Sequence, residues 1–177
     1  KLRKYPSIFL ILLLAISSCF LTGCVNQHPK DSKKSSQGES VETMLEITDP
    51  KEKQAVLNAK AKVKALSGNP RIVATSPAVA DICDKLDLDL VGVPKSSVSK
   101  IPSRYKKVKK VGLAMSPDME IVSSLNPDWI LAPSSLETDL KPKFEELKNT
   151  EYAFLNLRSV QGMYRSVQEL GEIFGKQ

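Results

Sequence analysis

The chain is poor in the side chains that most enzymatic reactions and metal sites require. Its 177 residues include one histidine and three cysteines. No C-x-x-C pair, histidine cluster, glycine-rich phosphate loop or nucleophile elbow occurs in it. Zinc and dithiol sites, phosphate-loop chemistry and nucleophile–base pairs therefore lack their residues, and the chain does not read as an enzyme. Charge of one sign is also in short supply. The formal net charge is +6, but Lys1, Arg3 and Lys4 sit in a segment with the form of a targeting peptide. Without them, 23 basic residues face 20 acidic ones, and a net +3 is too mild to argue for nucleic acid. The N-terminal apolar run, Ile8 to Ile16, is short for a membrane span.

That N-terminal segment has the three parts of a signal peptide: a basic start, an apolar core and the closing sequence Leu21-Thr22-Gly23-Cys24. The closing sequence resembles the bacterial lipobox, which implies a diacylated Cys24 as the mature N-terminus and a lobe held at the outer face of the cell membrane. Cys19 would leave with the signal. Cys83, in an apolar helical context, reads as a small core residue. The expected division is a signal peptide over 1–23, a flexible tether over 24–50, a helical spacer over 51–69 and a folded lobe over 70–177. The tether is rich in Lys, Ser, Gln and Glu and buries too little to order itself. His28 falls in it and reads as a solvated residue. The helix predicted from Lys51 to Leu66 is either a spacer or an element packed on the lobe.

From Arg71 onward, strands alternate with helices. Strands are predicted at Arg71–Thr75, Leu90–Val93, Trp129–Leu131 and Tyr152–Leu155. Helices are predicted at Ala78–Leu86, over a short segment after Ser116-Pro117, at Asp139–Lys148 and at Val160–Phe174, the last capped by Ser159. The region from Pro94 to Lys110 shows no periodicity and reads as a basic loop. The fold class is α/β: a Rossmann-like lobe with a parallel sheet of about four strands, flanked by helices. Right-handed crossovers put the strand C-terminal ends on one edge, where ligands bind in such folds. The loops there run through Thr75–Pro77, Pro94–Ser99, Leu113–Pro117 and Ala132–Leu136. Ser76-Pro77 and Ser116-Pro117 each read as a helix cap followed by a first-turn proline, with free amides suited to an anion.

The densest stretch is Val111-Gly-Leu-Ala-Met-Ser-Pro-Asp-Met-Glu-Ile-Val-Ser-Ser-Leu-Asn-Pro-Asp-Trp-Ile-Leu131. Its Gly112, Glu120 and Leu125-Asn126-Pro127-Asp128 resemble the N-terminal lobe of the iron-complex, siderophore and cobalamin substrate-binding proteins of ABC importers. Gly-Leu-Ala-Met-Ser-Pro is most similar to the haem-binding lipoproteins of the iron-regulated surface determinant type. The resemblance implies a class III periplasmic-binding-protein fold with a second lobe beyond Gln177, so that this chain holds one lobe of a longer protein. It implies haem as the transported ligand, Met115 as an axial thioether ligand with its partner histidine on the absent lobe, and Glu120 as a contact to the permease. Thr75, Ser76, Ser96, Ser97 and the amides at Ser116 are the candidates for binding propionates. Met119 and Trp129 read as packing residues. Lys100, Arg104 and Tyr105 keep a ferric siderophore or cobalamin open as the alternative ligand, and a truncated lobe without a ligand is a further reading.

Overall fold

The computed structural model describes residues 47–177. The predicted signal peptide, Cys24, His28 and most of the tether lie outside the described residues. In chain order the elements are α1 (Pro50–Lys64), β1 (Ile72–Ala74), α2 (Pro77–Lys85), β2 (Leu90–Val93), a 3-10 turn (Ser103–Tyr105), β3 (Lys109–Lys110), β4 (Gly112–Leu113) and β5 (Ser116–Pro117). There follow α3 (Met119–Ser124), β6 (Trp129–Pro133), a second 3-10 turn (Ser134–Leu136), α4 (Glu137–Glu145), β7 (Glu151–Leu155) and α5 (Val160–Phe174).

Five strands form a parallel sheet in the order β3-β2-β1-β6-β7, one strand more than the sequence pattern suggests. The addition is β3, only two residues long and made of two exposed lysines. A short, charged edge strand resists pairing with a second chain, and lysines there leave no apolar signal to read. Because side chains alternate along a strand, each buried strand feeds two cores. Ile72, Ala74, Trp129 and Leu131 pack with Val79, Ile82 and Cys83 of α2 and Leu170 of α5. Val73, Ile130 and Ala132 pack on the other face with Val122 of α3 and Leu140 and Phe144 of α4. Both faces are thus covered, which is why these strands read as continuous apolar runs. Cys83 is fully buried, and desolvation pushes its thiol up to about 12, so it is the inert core residue expected. Trp129 is also core, edge-on to Phe174 with ring centroids 5.7 Å apart.

Helix boundaries follow their caps. Ser76 accepts from the Val79 amide at 3.3 Å and Ser159 from the Gly162 amide at 3.0 Å, as the sequence predicts. The turn before β6 is tied to the start of β1. Asn126 takes a left-handed φ of 46°, which asparagine tolerates. The Arg71 guanidinium donates to the Leu125 carbonyl at 2.7 Å, and the Asp128 carboxylate accepts from the Arg71 amide at 2.7 Å. Leu125-Asn126-Pro127-Asp128 therefore aligns two neighbouring strands.

α1 packs on α5. Val56 is buried with Ile47 and Ile173, and Lys60–Glu172 and Glu52–Arg165 pairs link the two helices at 3.5 and 3.2 Å. Glu52 and Glu169 face each other across this contact. Burial first, then the Glu52 hydrogen bond and charge, push Glu169 up to about 7 against the pull of Arg165. No helix of the described residues is long and apolar enough to cross a membrane.

Candidate functional site

The sheet's order reverses between β1 and β6: β1 is followed outward by β2 and β3 on one side, and by β6 and β7 on the other. The crevice beyond the carboxyl ends of two such strands is where open α/β sheets hold ligands. Thr75 and Ser76 stand there, at the end of β1, and the β4–β5 hairpin stands at the end of the neighbouring β2–β3 pair.

The hairpin corrects one expectation. Ser116 does not cap a helix, and Pro117 is not its first residue. Both lie in β5, paired antiparallel with β4 through Gly112↔Pro117 and Leu113↔Ser116. The helix α3 begins at Met119, and its cap is Asp118, whose carboxylate accepts from the Ile121 amide at 3.1 Å. The competing force is the backbone. Val111 donates to Val93 at 2.9 Å and accepts from the Asp118 amide at 2.7 Å, while Lys95 donates to the Gly112 carbonyl at 2.7 Å. These bonds hold the segment back against β2 and delay the helix by two residues. Gly112 has φ 97°, and a Cβ there would lie 2.9 Å from the Asp118 nitrogen, so the close return needs glycine. The tip is Ala114-Met115. Neither residue has a positive φ, and the Asn-Gly or Asp-Gly that usually marks a two-residue hairpin is missing.

Met115 is therefore presented on a braced tip, with 72% of its surface exposed. Met119, by contrast, is partly buried against the α3–α4 core, as expected of a packing residue. Among the proposed propionate contacts the structure separates two groups. Thr75 and Ser76 are buried, and their hydroxyls are engaged: Thr75 donates to the Leu131 carbonyl at 3.3 Å and Ser76 caps α2. Ser96 accepts from the Ser99 amide at 3.0 Å and fixes the loop after β2. Ser97 and Ser116 are exposed. The expected free helical amides at Ser116 do not exist, because that residue is in a hairpin strand. Glu120 is exposed in the first turn of α3.

Arg104 and Tyr105 are committed elsewhere. The Arg104 guanidinium donates to Asp87 at 2.7 Å and to Asp89 at 2.9 Å, and these bonds raise its pKa and hold the Asp87 carboxyl below its usual range. Tyr105 is buried, donates to the Leu88 carbonyl at 2.6 Å, and has its phenol pushed up chiefly by burial. Asp87, Leu88 and Asp89 precede β2, so both side chains serve the end of the sheet opposite Met115. An open cleft of 530 Å³ at that far end, around Asn126, Asp128 and Asn149, is lined by none of the predicted site residues. Among the described residues no group of three or more His, Cys, Asp or Glu is placed to hold a metal ion.

This doubly wound lobe belongs to the periplasmic binding protein family, whose model matches residues 72–177. The family is one of binding proteins, in agreement with the reading of a chain that is not an enzyme. A curated relative is the high-affinity heme uptake system protein IsdE of Staphylococcus aureus, 37% identical over 110 residues that cover 62% of this chain and 37% of IsdE. The solved structure of S. aureus IsdE complexed with heme superposes with a TM-score of 0.57 over 62% of this chain and 42% of that one. An ABC transporter substrate-binding protein from Listeria monocytogenes EGD-e superposes with a TM-score of 0.59 at 45% identity, covering 62% of this chain and 42% of that one. The siderophore-binding protein BauB, bound to two acinetobactin molecules and ferric iron, gives 0.53 at 25% identity over 63% of this chain and 42% of that one. The chain thus spans 37% of the length of the curated relatives it matches.

Proposed function

We propose that the chain is the N-terminal lobe of a lipid-anchored substrate-binding component of an ABC importer, and that its ligand is haem held through the Met115 thioether. The observation that carries this reading is the presentation of Met115: a soft sulfur, 72% exposed, on a hairpin braced by three backbone bonds at the carboxyl edge of the sheet. A packing methionine would be turned inward, as Met119 is. A neutral thioether is a suitable axial donor to haem iron. Likeness to IsdE supports haem over other iron complexes. The siderophore or cobalamin alternative leaned on Arg104 and Tyr105, whose polar groups are spent on the opposite end of the sheet, which leaves it Lys100 alone. In this reading the exposed Ser97 and Ser116 hydroxyls contact propionates, with Ser76 and Thr75 shaping the floor and Ser96 holding the loop. Cys24 carries the lipid that keeps the lobe at the outer face of the cell membrane, and Glu120 docks a basic residue of the permease. A charged contact at such a rim acts on encounter and orientation more than on affinity.

The test is a hemin titration of the full chain in detergent micelles, read at the Soret band against empty micelles. Met115→Ala should weaken saturable binding by about tenfold or more, since even outer-shell partners of a metal act on that scale. An unchanged titration removes Met115 as the ligand.

A further inference from the structure

We propose that the N-terminal half of α5 is a membrane-docking face, with Val160, Met163 and Tyr164 seated in the headgroup boundary of an anionic lipid bilayer and Arg158 on its phosphates. This rests on the reading of a lipid-anchored lobe above and adds to it a surface that orients the lobe. Val160 is 67% exposed, Tyr164 51% and Met163 40%. They stand three and four residues apart and so form one row along the helix. Packing accounts for the rest of α5 and leaves this row over. Gly162, Ser166, Leu170 and Ile173 are buried, and Val167 and Phe174 pack on the core shared with α2. Three large apolar side chains together on one exposed stretch mark a contact surface, whereas an ordinary surface scatters them singly.

The chemistry around the row selects an anionic bilayer. No acidic residue occurs between Glu151 and Glu169, so this stretch brings no carboxylate for anionic lipid to repel. Arg158 is exposed just before the Ser159 cap, and among the described residues its guanidinium has no ion-pair partner. Apolar side chains, an amphipathic tyrosine and a basic flank are the pattern of an interfacial helix. The anchor supports the same face. Ile47 clusters with Ile173 near the C-terminal end of α5, about 20 Å along the helix from Val160. Residues 25–46 separate Ile47 from Cys24, and a stretch of that length reaches at most about 75 Å, so the lobe can lie on this face beside its own lipid. Tethering makes even a weak contact of this kind intramolecular. Because α5 follows β7, its N-terminal half stands at the carboxyl edge of the sheet, and docking brings the Met115 edge toward the membrane.

The experiment reconstitutes the full chain into phosphatidylcholine vesicles with and without phosphatidylglycerol, with brominated phosphatidylcholine as a quencher of tryptophan. Trp129 is buried, so the parent chain gives the background. Tyr164→Trp should be quenched by the brominated lipid, and more strongly when phosphatidylglycerol is present. Adding Val160→Ser to that reporter should lower the docked-to-free ratio about fivefold, the scale of a partly buried valine. Adding Arg158→Gln should lower it about fivefold with phosphatidylglycerol and not without, and added salt should erase that difference. Flotation is read on the same samples. A chain that floats with no quenching of the reporter overturns this proposal and leaves the anchor reading standing. A chain that does not float overturns both. Quenching that survives either substitution undiminished overturns the face assigned here. A blue shift without quenching, growing with the protein-to-lipid ratio, marks a second copy as the occupant and overturns it too. All three substituted side chains are exposed, and unchanged far-UV spectra verify that the variants fold.

Discussion

Adding one methyl group at Gly92 should destabilise the lobe and disturb the Met115 hairpin together. A Cβ built on Gly92 lies 2.8 Å from Val111 Cγ1, 2.9 Å from Leu125 Cδ1 and 3.0 Å from Val73 Cγ2, where ordinary contact begins near 3.4 Å. Val111 and Val73 are fully buried, so they have little room to give. Overpacking of this kind costs about 1–3 kcal/mol, and the smaller entropy of an unfolded alanine returns about 0.4–1 kcal/mol. The net expectation for Gly92→Ala is a loss of about 1–2 kcal/mol, or about 4–8 °C in Tm for a lobe of this size. The assay is thermal unfolding followed by circular dichroism, with Gly68→Ala as control. Gly68 has open space around it, and its substitution should leave Tm level or slightly raised. A Gly92→Ala/Val111→Ala variant completes a cycle. Val111→Ala removes the nearest clashing atom, so the double variant should lose less than the two single losses added, by about 1 kcal/mol. Because Val111 also bonds Val93 and Asp118 through its backbone, the displaced side chain should shift the hairpin and weaken hemin as well. An unchanged Tm in Gly92→Ala, or a strictly additive cycle, refutes the packing argument.

Stability should also depend on pH through α1. Glu169 has a folded pKa of about 7, above its ordinary value of 4.5, so the folded state binds the proton more tightly than the unfolded state does. This contribution is complete below about pH 4.5 and is lost as pH rises through 7, with a size of about 1 kcal/mol after solvent screening. Amide exchange of α1 should therefore be faster at pH 8 than at pH 5 after correction for intrinsic rates. Glu52→Gln should flatten the difference, and a steeper one would contradict the assignment. Tyr105→Phe leaves the buried Leu88 carbonyl without its donor at 2.6 Å and should cost about 1–3 kcal/mol in urea unfolding, with hemin affinity unchanged because the residue serves the opposite end.

What the sequence discloses here depends on how local the deciding interaction is. α5 is read correctly to the residue, because Ser159 and Gly175 mark its ends and its apolar spacing spans four turns. The same dipeptide, Ser-Pro, has two outcomes. At Ser76-Pro77 it opens a helix, since nothing upstream competes. At Ser116-Pro117 it becomes a strand, because Val111 and Gly112 are already bonded to β2 and the Lys95 loop across some twenty residues of chain. Arg104 and Tyr105 look like pocket residues in a basic loop, yet their partners at Asp87, Leu88 and Asp89 precede them by about sixteen residues, and no periodicity reveals that pairing. β3 has no signature in the sequence, because two solvated lysines carry no strand signal. The place of Met115 at the sheet edge is legible in the sequence, and the hairpin that carries it is not. A hairpin tip without glycine or asparagine gives no turn signature.

The exposure of Met115 has a chemical side of its own. A thioether that solvent reaches is also the one that peroxide reaches. Oxidation to the sulfoxide would replace a soft sulfur donor with a polar, chiral oxygen-bearing group, a change that methionine sulfoxide reductases reverse. Met119, partly buried against the α3–α4 core, is the better sheltered of the two. The hairpin tip would then be the first part of this edge to record oxidative stress, and under the proposed reading of Met115 its oxidation would weaken haem capture.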